Sequence, residues 1–391
     1  MKILIVNERL IEGGTEIYVL NLKKLLEKDN EVYLLTFDNE FEKNILKVKS
    51  HQNIINIKSD NKFNKLIFNP FMYWKIRKEL KKIQPDRIIV NNLFCSPITQ
   101  INALKKYKTY QVVHDYSIVC PKSTCLKDSM SICQGYKSEQ CYSKCCYHNS
   151  KMSLIIKLYL TKKMEKLKKK NIKKFITPSL KLNEYLKSYE YNSVSINNPI
   201  RFIEFENYKK DYKLHKYIYV GAINENKGIF KFLEAFNKFA KNKNVQIEIV
   251  GKPSSENDKK RLESLISENS NIINLGYINN HEVLTKVKES NYMVVPSLWI
   301  ENYPTTVLES MMVKTIVIGS NRGGIPEMLD ENRGILFNIM KEESIIEVLE
   351  KTYTMSIEEY GQIIDNAYEY VKKNNSYELY YKEIMKVLNE D

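Results

Sequence analysis

The sequence predicts an α/β protein made of two Rossmann-like, doubly wound domains facing across a cleft. The length of 391 residues exceeds one ordinary core and suits two. Short apolar runs alternate with helical patterns from end to end, the signature of parallel sheets built from strand-helix-strand units. A polar stretch at 197–216, opening with Asn-Asn-Pro, interrupts that alternation before it restarts, and reads as a linker. An apolar share of 43%, with 27 tyrosines and 14 phenylalanines, supplies enough buried surface to exclude a disordered chain.

In the first half the strand-like runs are 2–6, 32–36, 87–90, 109–113, 175–177 and 194–196, with a helix over 15–27 after a glycine turn. In the second half they are 217–220, 245–250, 272–275, 292–295, 315–318 and 334–337; beyond residue 342 the pattern is helical. The expected domains are 1–200, carrying a cysteine-rich insertion near 120–148, and 201–372, with 373–391 a C-terminal helix placed to pack back on the first. Ligand is expected at the carboxyl ends of the strands, in the crevice between the lobes.

The net charge of +14 is unevenly spread: residues 151–174 hold ten lysines against the single acid Glu165. Ile156, Leu160, Met164 and Leu167 recur there at helical spacing, so the segment reads as a basic amphipathic helix. It is either a dock for an anionic membrane surface or a solvated face whose apolar stripe packs on the core. The lysines lack interleaved aromatic platforms and no recognition motif appears, which argues against nucleic acid. Residues 1–6 run straight into Asn7, Glu8 and Arg9, unlike a signal peptide, and no apolar stretch approaches the ~20 residues of a bilayer span. The expected location is cytoplasmic, peripheral on the inner membrane face if the basic helix docks there.

Four segments carry chemistry. Pro296-Ser-Leu-Trp-Ile-Glu301-Asn-Tyr-Pro304-Thr-Thr-Val-Leu-Glu309 follows an apolar run and sets two glutamates across a helix start, with Pro304 suited to the first turn. Eight helical residues rise about 12 Å, the scale of an extended diphosphate sugar. Between the glutamates, the N–H groups of Thr305 and Thr306 and the positive helix end suit a diphosphate. Glutamate pairs at helical spacing are usually solvated, so position after a strand is what distinguishes this one. Tyr217-Ile-Tyr-Val-Gly221 through Lys227-Gly228 is a second strand-loop-helix passage, in which Lys227 is placed to neutralise phosphate oxygens. Standing alone it would read as a surface lysine before a helix. Glu12-Gly13-Gly14-Thr15 opens the first helix and turns backbone N–H groups toward an anion. Arg322-Gly-Gly-Ile-Pro-Glu327 adds a second glycine turn after another strand. The dinucleotide and P-loop glycine patterns are both missing.

In this order the four segments resemble the retaining family-four (group 1) glycosyltransferases of the GT-B fold, over essentially the whole chain. The resemblance implies a metal-independent hexosyltransferase that works without a cofactor in surface polysaccharide synthesis. Its donor would be a nucleotide diphosphate sugar held by the second domain, and its acceptor a glycan or lipid-linked glycan met by the first. It assigns Glu301 to the donor sugar, Glu309 to the ribose hydroxyls, and Lys227 to the departing diphosphate. Gly13 and Gly14 would admit that diphosphate to the backbone. Asn302, Tyr303, Thr305 and Thr306 complete the expected substrate-binding set. His114, in Val113-His-Asp-Tyr after a strand, resembles the first-domain histidine beside the donor sugar; a lone histidine is otherwise often structural. Ala222 stands where the family usually has arginine, so more of the leaving charge falls on Lys227 and backbone amides. Lys314 replaces a common glycine.

Six of the seven cysteines cluster at Cys120, Cys125, Cys133, Cys141, Cys145 and Cys146, with His148 close behind. With no secretory signal they suggest either a structural zinc site, using Cys120, Cys133, Cys141 and Cys145, or reduced thiols in an insertion shaping the acceptor side. Two other readings fit the same fold: a nucleotide-sugar epimerase, and a non-catalytic glycan-binding module, against which Glu301, Glu309 and Lys227 argue.

Overall fold

The computed structural model describes residues 1–10, 14–46, 48, 52–58, 68–91, 93, 97–120, 123–127, 133, 141, 151–203 and 215–390. The chain forms two compact units, one of Met1–Ser123, Cys133–Ile196 and Tyr381–Asp391, the other of Thr124–Ile132 and Asn197–Tyr380.

The first unit contains β1 (Lys2–Val6), α1 (Gly14–Leu26), β2 (Glu31–Thr36), α2 (Phe41–Ile45), β3 (Ile54–Asn56) and α3 (Pro70–Ile83). It continues through β4 (Arg87–Val90), α4 (Pro97–Leu104), β5 (Thr109–Val112), α5 (Lys151–Asn171), β6 (Ile172–Thr177), α6 (Leu180–Ser188) and β7 (Ser193–Ser195). Its strands pair in the order β3-β2-β1-β4-β5-β6-β7. Every pairing among them is parallel. Ile3, Leu4, Ile5 and Val6 are all buried, so β1 is covered on both faces, as a central strand of a parallel sheet requires. The short β3 and α2 carry too little periodicity for the sequence to announce them.

The second unit restarts the pattern with β8 (His215–Val220), α7 (Ile229–Phe239), β9 (Val245–Val250), α8 (Glu256–Glu268), β10 (Ile272–Gly276) and α9 (Asn280–Glu289). There follow β11 (Tyr292–Val295), α10 (Thr305–Met312), β12 (Ile316–Ser320), α11 (Ile325–Leu329), β13 (Ile335–Phe337), α12 (Glu342–Thr354) and α13 (Ile357–Asn374). Its order, β10-β9-β8-β11-β12-β13, reverses between β8 and β11, and such a reversal opens a crevice at the carboxyl ends of those two strands. Phe230, Phe232, Leu233 and Phe236 bury one face of α7 in this unit's core. Tyr217 and Tyr292 stack in the same core at 5.0 Å. Their hydroxyls are satisfied by Thr352, at 2.7 Å on its side chain and 2.8 Å on its carbonyl.

Three details differ from the sequence reading. Thr124–Ile132, inside the stretch read as an insertion of the first domain, clusters with the second unit. Leu126 joins that unit's apolar core, and the Ile300 N–H donates to the Thr124 carbonyl at 3.3 Å. The polar stretch is shorter than expected at its far end, because β8 begins at His215, where the backbone pairs with Val245. In α5 no described side chain is fully buried: Leu160, Met164 and Leu167 of the apolar stripe are half-buried, and Ile156 is 48% exposed, so the stripe is covered only in part. Of the four cysteines proposed for zinc, Cys120, Cys133 and Cys141 are buried, while Cys145 lies outside the described residues, as do Cys146 and His148.

The last helix, α14 (Tyr377–Asn389), delivers Tyr381–Asp391 to the first unit. There the Leu388 carbonyl accepts from Arg87 Nε at 2.6 Å and from the Tyr110 hydroxyl at 3.4 Å, and the Leu388 side chain is fully buried. Leu388→Ala is expected to destabilise the first unit by about 3 kcal/mol in urea unfolding. A loss under about 1 kcal/mol would show that this tail adds little to that unit's core.

Candidate active site

In the second unit the loops after β8 and β11 are locked together by backbone contacts. Asn224 accepts from the Lys227 N–H at 3.1 Å and caps a 3-10 turn over Glu225–Lys227. The Asn226 carbonyl then accepts from the N–H groups of Leu298 at 3.0 Å and Trp299 at 3.1 Å. Gly228 closes the turn at φ 69°, and a Cβ there would lie 1.8 Å from the Pro296 carbonyl oxygen. Only glycine meets both demands, which explains why a glycine follows Lys227.

That lock delivers Lys227 to Glu301. Its Nζ donates to Glu301 Oε1 at 2.7 Å and lies 4.5 Å from the centre of the Trp299 ring. The same oxygen accepts from Ser297 Oγ at 2.7 Å and Trp299 Nε1 at 2.5 Å. Three donors on one oxygen hold the carboxylate oriented, and leave Oε2 for a hydroxyl donor. The Glu301 carbonyl is gripped as well, accepting the Gly324 N–H at 2.8 Å. Gly323 approaches it so closely that a Cβ would lie 1.9 Å away. Burial and the Glu301 charge push the Tyr219 phenol upward, and its hydroxyl donates to the Ala222 carbonyl at 2.6 Å.

Helix α10 starts at Thr305, directly after Pro304 and without a side-chain cap. Its first N–H groups, on Thr305 and Thr306, therefore have no intrahelical acceptor and face out of the helix start, the arrangement that binds anions. Glu309 follows one turn on, half-buried, and burial pushes its carboxyl up to about 7. A carboxyl poised there holds a proton near neutrality and can donate as well as accept. Tyr303 points elsewhere: it is packed in the core with its hydroxyl 3.3 Å from that of Tyr370. Asn302 is also buried. Lys314 adopts φ 56°, the conformation that favours the glycine it replaces, and its amine pairs with Asp365 at 2.8 Å.

In the first unit His114 lies just past β5, with Nε2 2.9 Å from Asn91 Oδ1 and its ring 4.7 Å, edge-on, from Tyr18. Tyr18 belongs to the first turns of α1, which Gly14 opens, so that unit brings Gly14 and His114 to the same sheet edge. No heavy atom comes within 4 Å of the position a Gly14 Cβ would take. Gly13 lies outside the described residues. Burial pushes the His114 imidazole down to about 4, against an opposing pull from Asp115. It is therefore neutral near pH 7, a hydrogen-bonding group rather than a cation.

Sequence reasoning passed over Ser297, Trp299, Asn224 and Asn91 as individual residues. The first two sit inside the segment it singled out, and a polar side chain two or four positions before a half-buried glutamate was the available signal. Among the described residues no group of three or more His, Cys, Asp or Glu side chains is arranged to hold a metal ion.

The Glu309 carboxyl binds its proton more tightly folded than unfolded, where its ordinary value is 4.5. Its contribution to stability is thus full below that value and is lost as pH rises through about 7. Glu309→Gln should flatten the fall in stability that urea unfolding reads across this window. An equally steep fall in the variant would remove Glu309 as its source.

Residues 201–370 match the family model described as glycosyl transferases group 1. No curated protein matches the chain by sequence. The fold is similar to that of HepE from Anabaena, solved in complex with UDP, at 14% identity and TM-score 0.75 over 99% of both chains. It is also similar to sucrose-phosphate synthase from Thermosynechococcus elongatus, at 18% identity and TM-score 0.73, covering 99% of this chain and 98% of that one. The lipopolysaccharide outer core galactosyltransferase WaaB, in its apo form, gives 16% identity and TM-score 0.70 over 99% of both. Two parallel α/β sheets of this order are the GT-B architecture, and the part of the chain that matches the group 1 glycosyl transferase model, residues 201–370, holds Lys227, Glu301 and Glu309.

Proposed function

We propose that this chain is a retaining, metal-independent glycosyltransferase that moves a hexose-type sugar from a uridine diphosphate donor to a glycan or lipid-linked acceptor in surface polysaccharide synthesis. The observation that carries the reading is Glu301 Oε1 held by Lys227, Ser297 and Trp299 beside the start of α10. UDP as the nucleotide is supported by the likeness to HepE, which was solved with UDP and with UDP-glucose.

The roles follow from charge. As the glycosidic bond to the diphosphate breaks, negative charge grows on the leaving oxygen. Lys227 and the amides of Thr305 and Thr306 supply positive charge already in place, so little reorganisation is needed in the transition state. That cationic set takes the part a divalent metal would otherwise play. Glu301 orients the sugar through Oε2, and protonated Glu309 is suited to the ribose hydroxyls. Retention requires the acceptor hydroxyl to attack from the face the diphosphate leaves, a geometry that keeps the departing oxygen close enough to take the proton. His114, neutral, is assigned to substrate hydroxyls, and Gly14 with Gly13 to backbone approach.

The acceptor reading draws on the first unit. Helix α5 carries eight lysines against Glu165, and Ile155, Ile156 and Tyr159 near its start are exposed. Helix α3 is joined to it through α4, and exposes Phe71 and Trp74 with Lys75, Lys78 and Lys82. In a parallel sheet both helices begin at the carboxyl edge, so their exposed apolar ends share one side. Aromatic side chains beside lysines suit an anionic bilayer surface, where a lipid-linked acceptor would be met. No helix among the described residues is long and apolar enough to cross a membrane.

With UDP-glucose as donor and UDP release as the readout, Lys227→Ala and Glu301→Ala should each lower turnover on the order of a hundredfold. Near-normal rates in both folded variants would sink the site. Isomerised donor, formed without acceptor, would instead mark an epimerase. In flotation, the protein should rise with anionic vesicles and lose them on replacing Phe71 and Trp74 by serine. Equal recovery with neutral vesicles, insensitive to salt, would overturn the membrane reading.

A further inference from the structure

Arg322 is a buried cation of the second unit that the proposed mechanism does not use. It follows β12 and is 6% exposed, yet among the described residues its guanidinium has no hydrogen-bond, ion-pair or ring partner. Arg333, in the same unit and 7% exposed, shows what a structural buried arginine requires. Its Nε donates to the Met328 carbonyl at 2.9 Å, Nη2 to the Glu327 carbonyl at 2.8 Å and Nη1 to Glu331 at 2.6 Å, while the ring of Tyr370 lies 4.1 Å away. Arg322 has none of these, and burial alone draws its basicity down, with no carboxylate to restore it. A buried charge without a counter-charge is costly, and persists where something else repays it.

Its place says what. The Arg322 N–H bonds the Ser320 carbonyl at 2.8 Å, and Ser320 Oγ donates to the Ser297 carbonyl at 2.8 Å. The next two residues, Gly323 and Gly324, are the pair seated on the Glu301 carbonyl. The turn bearing the unpaired guanidinium is thus fastened on both sides to the segment that holds Glu301. Charge demand points the same way: Lys227 already shares its charge with Glu301 at 2.7 Å, while a nucleotide diphosphate brings two negative phosphates.

We propose that Arg322 is a donor-recognition residue whose guanidinium grips an oxyanion of the bound nucleotide sugar in bidentate fashion, supplied by the diphosphate or by the carboxylate of an acidic sugar. The inference rests on the donor site proposed above. It is tested by calorimetric titration of the full chain and of Arg322→Gln and Arg322→Lys with UDP, UDP-glucose and UDP-glucuronic acid, alongside the melting temperature of each ligand-free protein. Arg322→Gln should melt no lower than the parent, because an unpaired cation has been removed, and should bind at least one ligand tenfold or more weakly. Weakened UDP binding assigns the diphosphate. Unchanged UDP binding with a lost preference for UDP-glucuronic acid over UDP-glucose assigns the carboxylate. Arg322→Lys, which keeps the charge without the fork, should recover part of the loss. Unchanged affinity for all three ligands, or a lower melting temperature with unchanged affinity, overturns the proposal. If the parent protein binds none of the three, the donor reading fails with it, an outcome distinct from a parent that binds and a variant that binds equally well.

Discussion

One carboxylate oxygen organises the second unit. Glu301 Oε1 takes hydrogen bonds from an ammonium, an indole and a hydroxyl, at 2.7, 2.5 and 2.7 Å. Each donor is fixed by something further away. Lys227 is carried on a turn capped by Asn224, Trp299 has its N–H on the Asn226 carbonyl, and Ser297 accepts Ser320 through its own carbonyl. The glycines at 228 and 323 allow the backbones to close on one another around this point. A carboxylate so constrained cannot rotate to meet a ligand; the ligand must fit it, and that is the preorganisation which transition-state stabilisation demands.

The sheet order explains why this cluster lies where it does. At the reversal between β8 and β11 the connecting segments diverge to opposite faces, opening space at the strands' carboxyl ends, and Lys227 and Glu301 come from the segments after those two strands. Helix α10 then points its unbonded amides out of the same loop. Within that helix Glu309 is pushed to about 7 by burial, while Glu301 is held by three hydrogen-bond donors. The tight network around one and the desolvation of the other separate their roles without any change of residue type.

The first unit distributes its chemistry differently. His114, Asn91 and Tyr18 form a small neutral group at one sheet edge. On the helical layer, α5 buries none of its described side chains, and α3 leaves Trp74 70% exposed. Exposing a tryptophan costs the apolar transfer energy that burial would return, so a face of this kind is unusual for a helix whose work is only to cover a sheet.

Much of the fold is legible in the residues themselves. The unbroken apolar runs of β1 and β11, the restart of alternation near Tyr217, and the glycine after Lys227 all state local requirements of backbone and burial, and local requirements leave local traces. The segment from Pro296 to Glu309 could be singled out for the same reason. What the sequence could not express is pairing. That Lys227 pairs with Glu301, that Tyr303 turns into the core against Tyr370 and that Leu126 packs in the second unit each depend on residues far apart in the chain. Sequence by itself determined the alternating elements and the kinds of side chain at the ends of the strands. Tertiary structure alone decided which charges are neutralised, because that depends on distances between segments whose order along the chain carries no record of their separation in space.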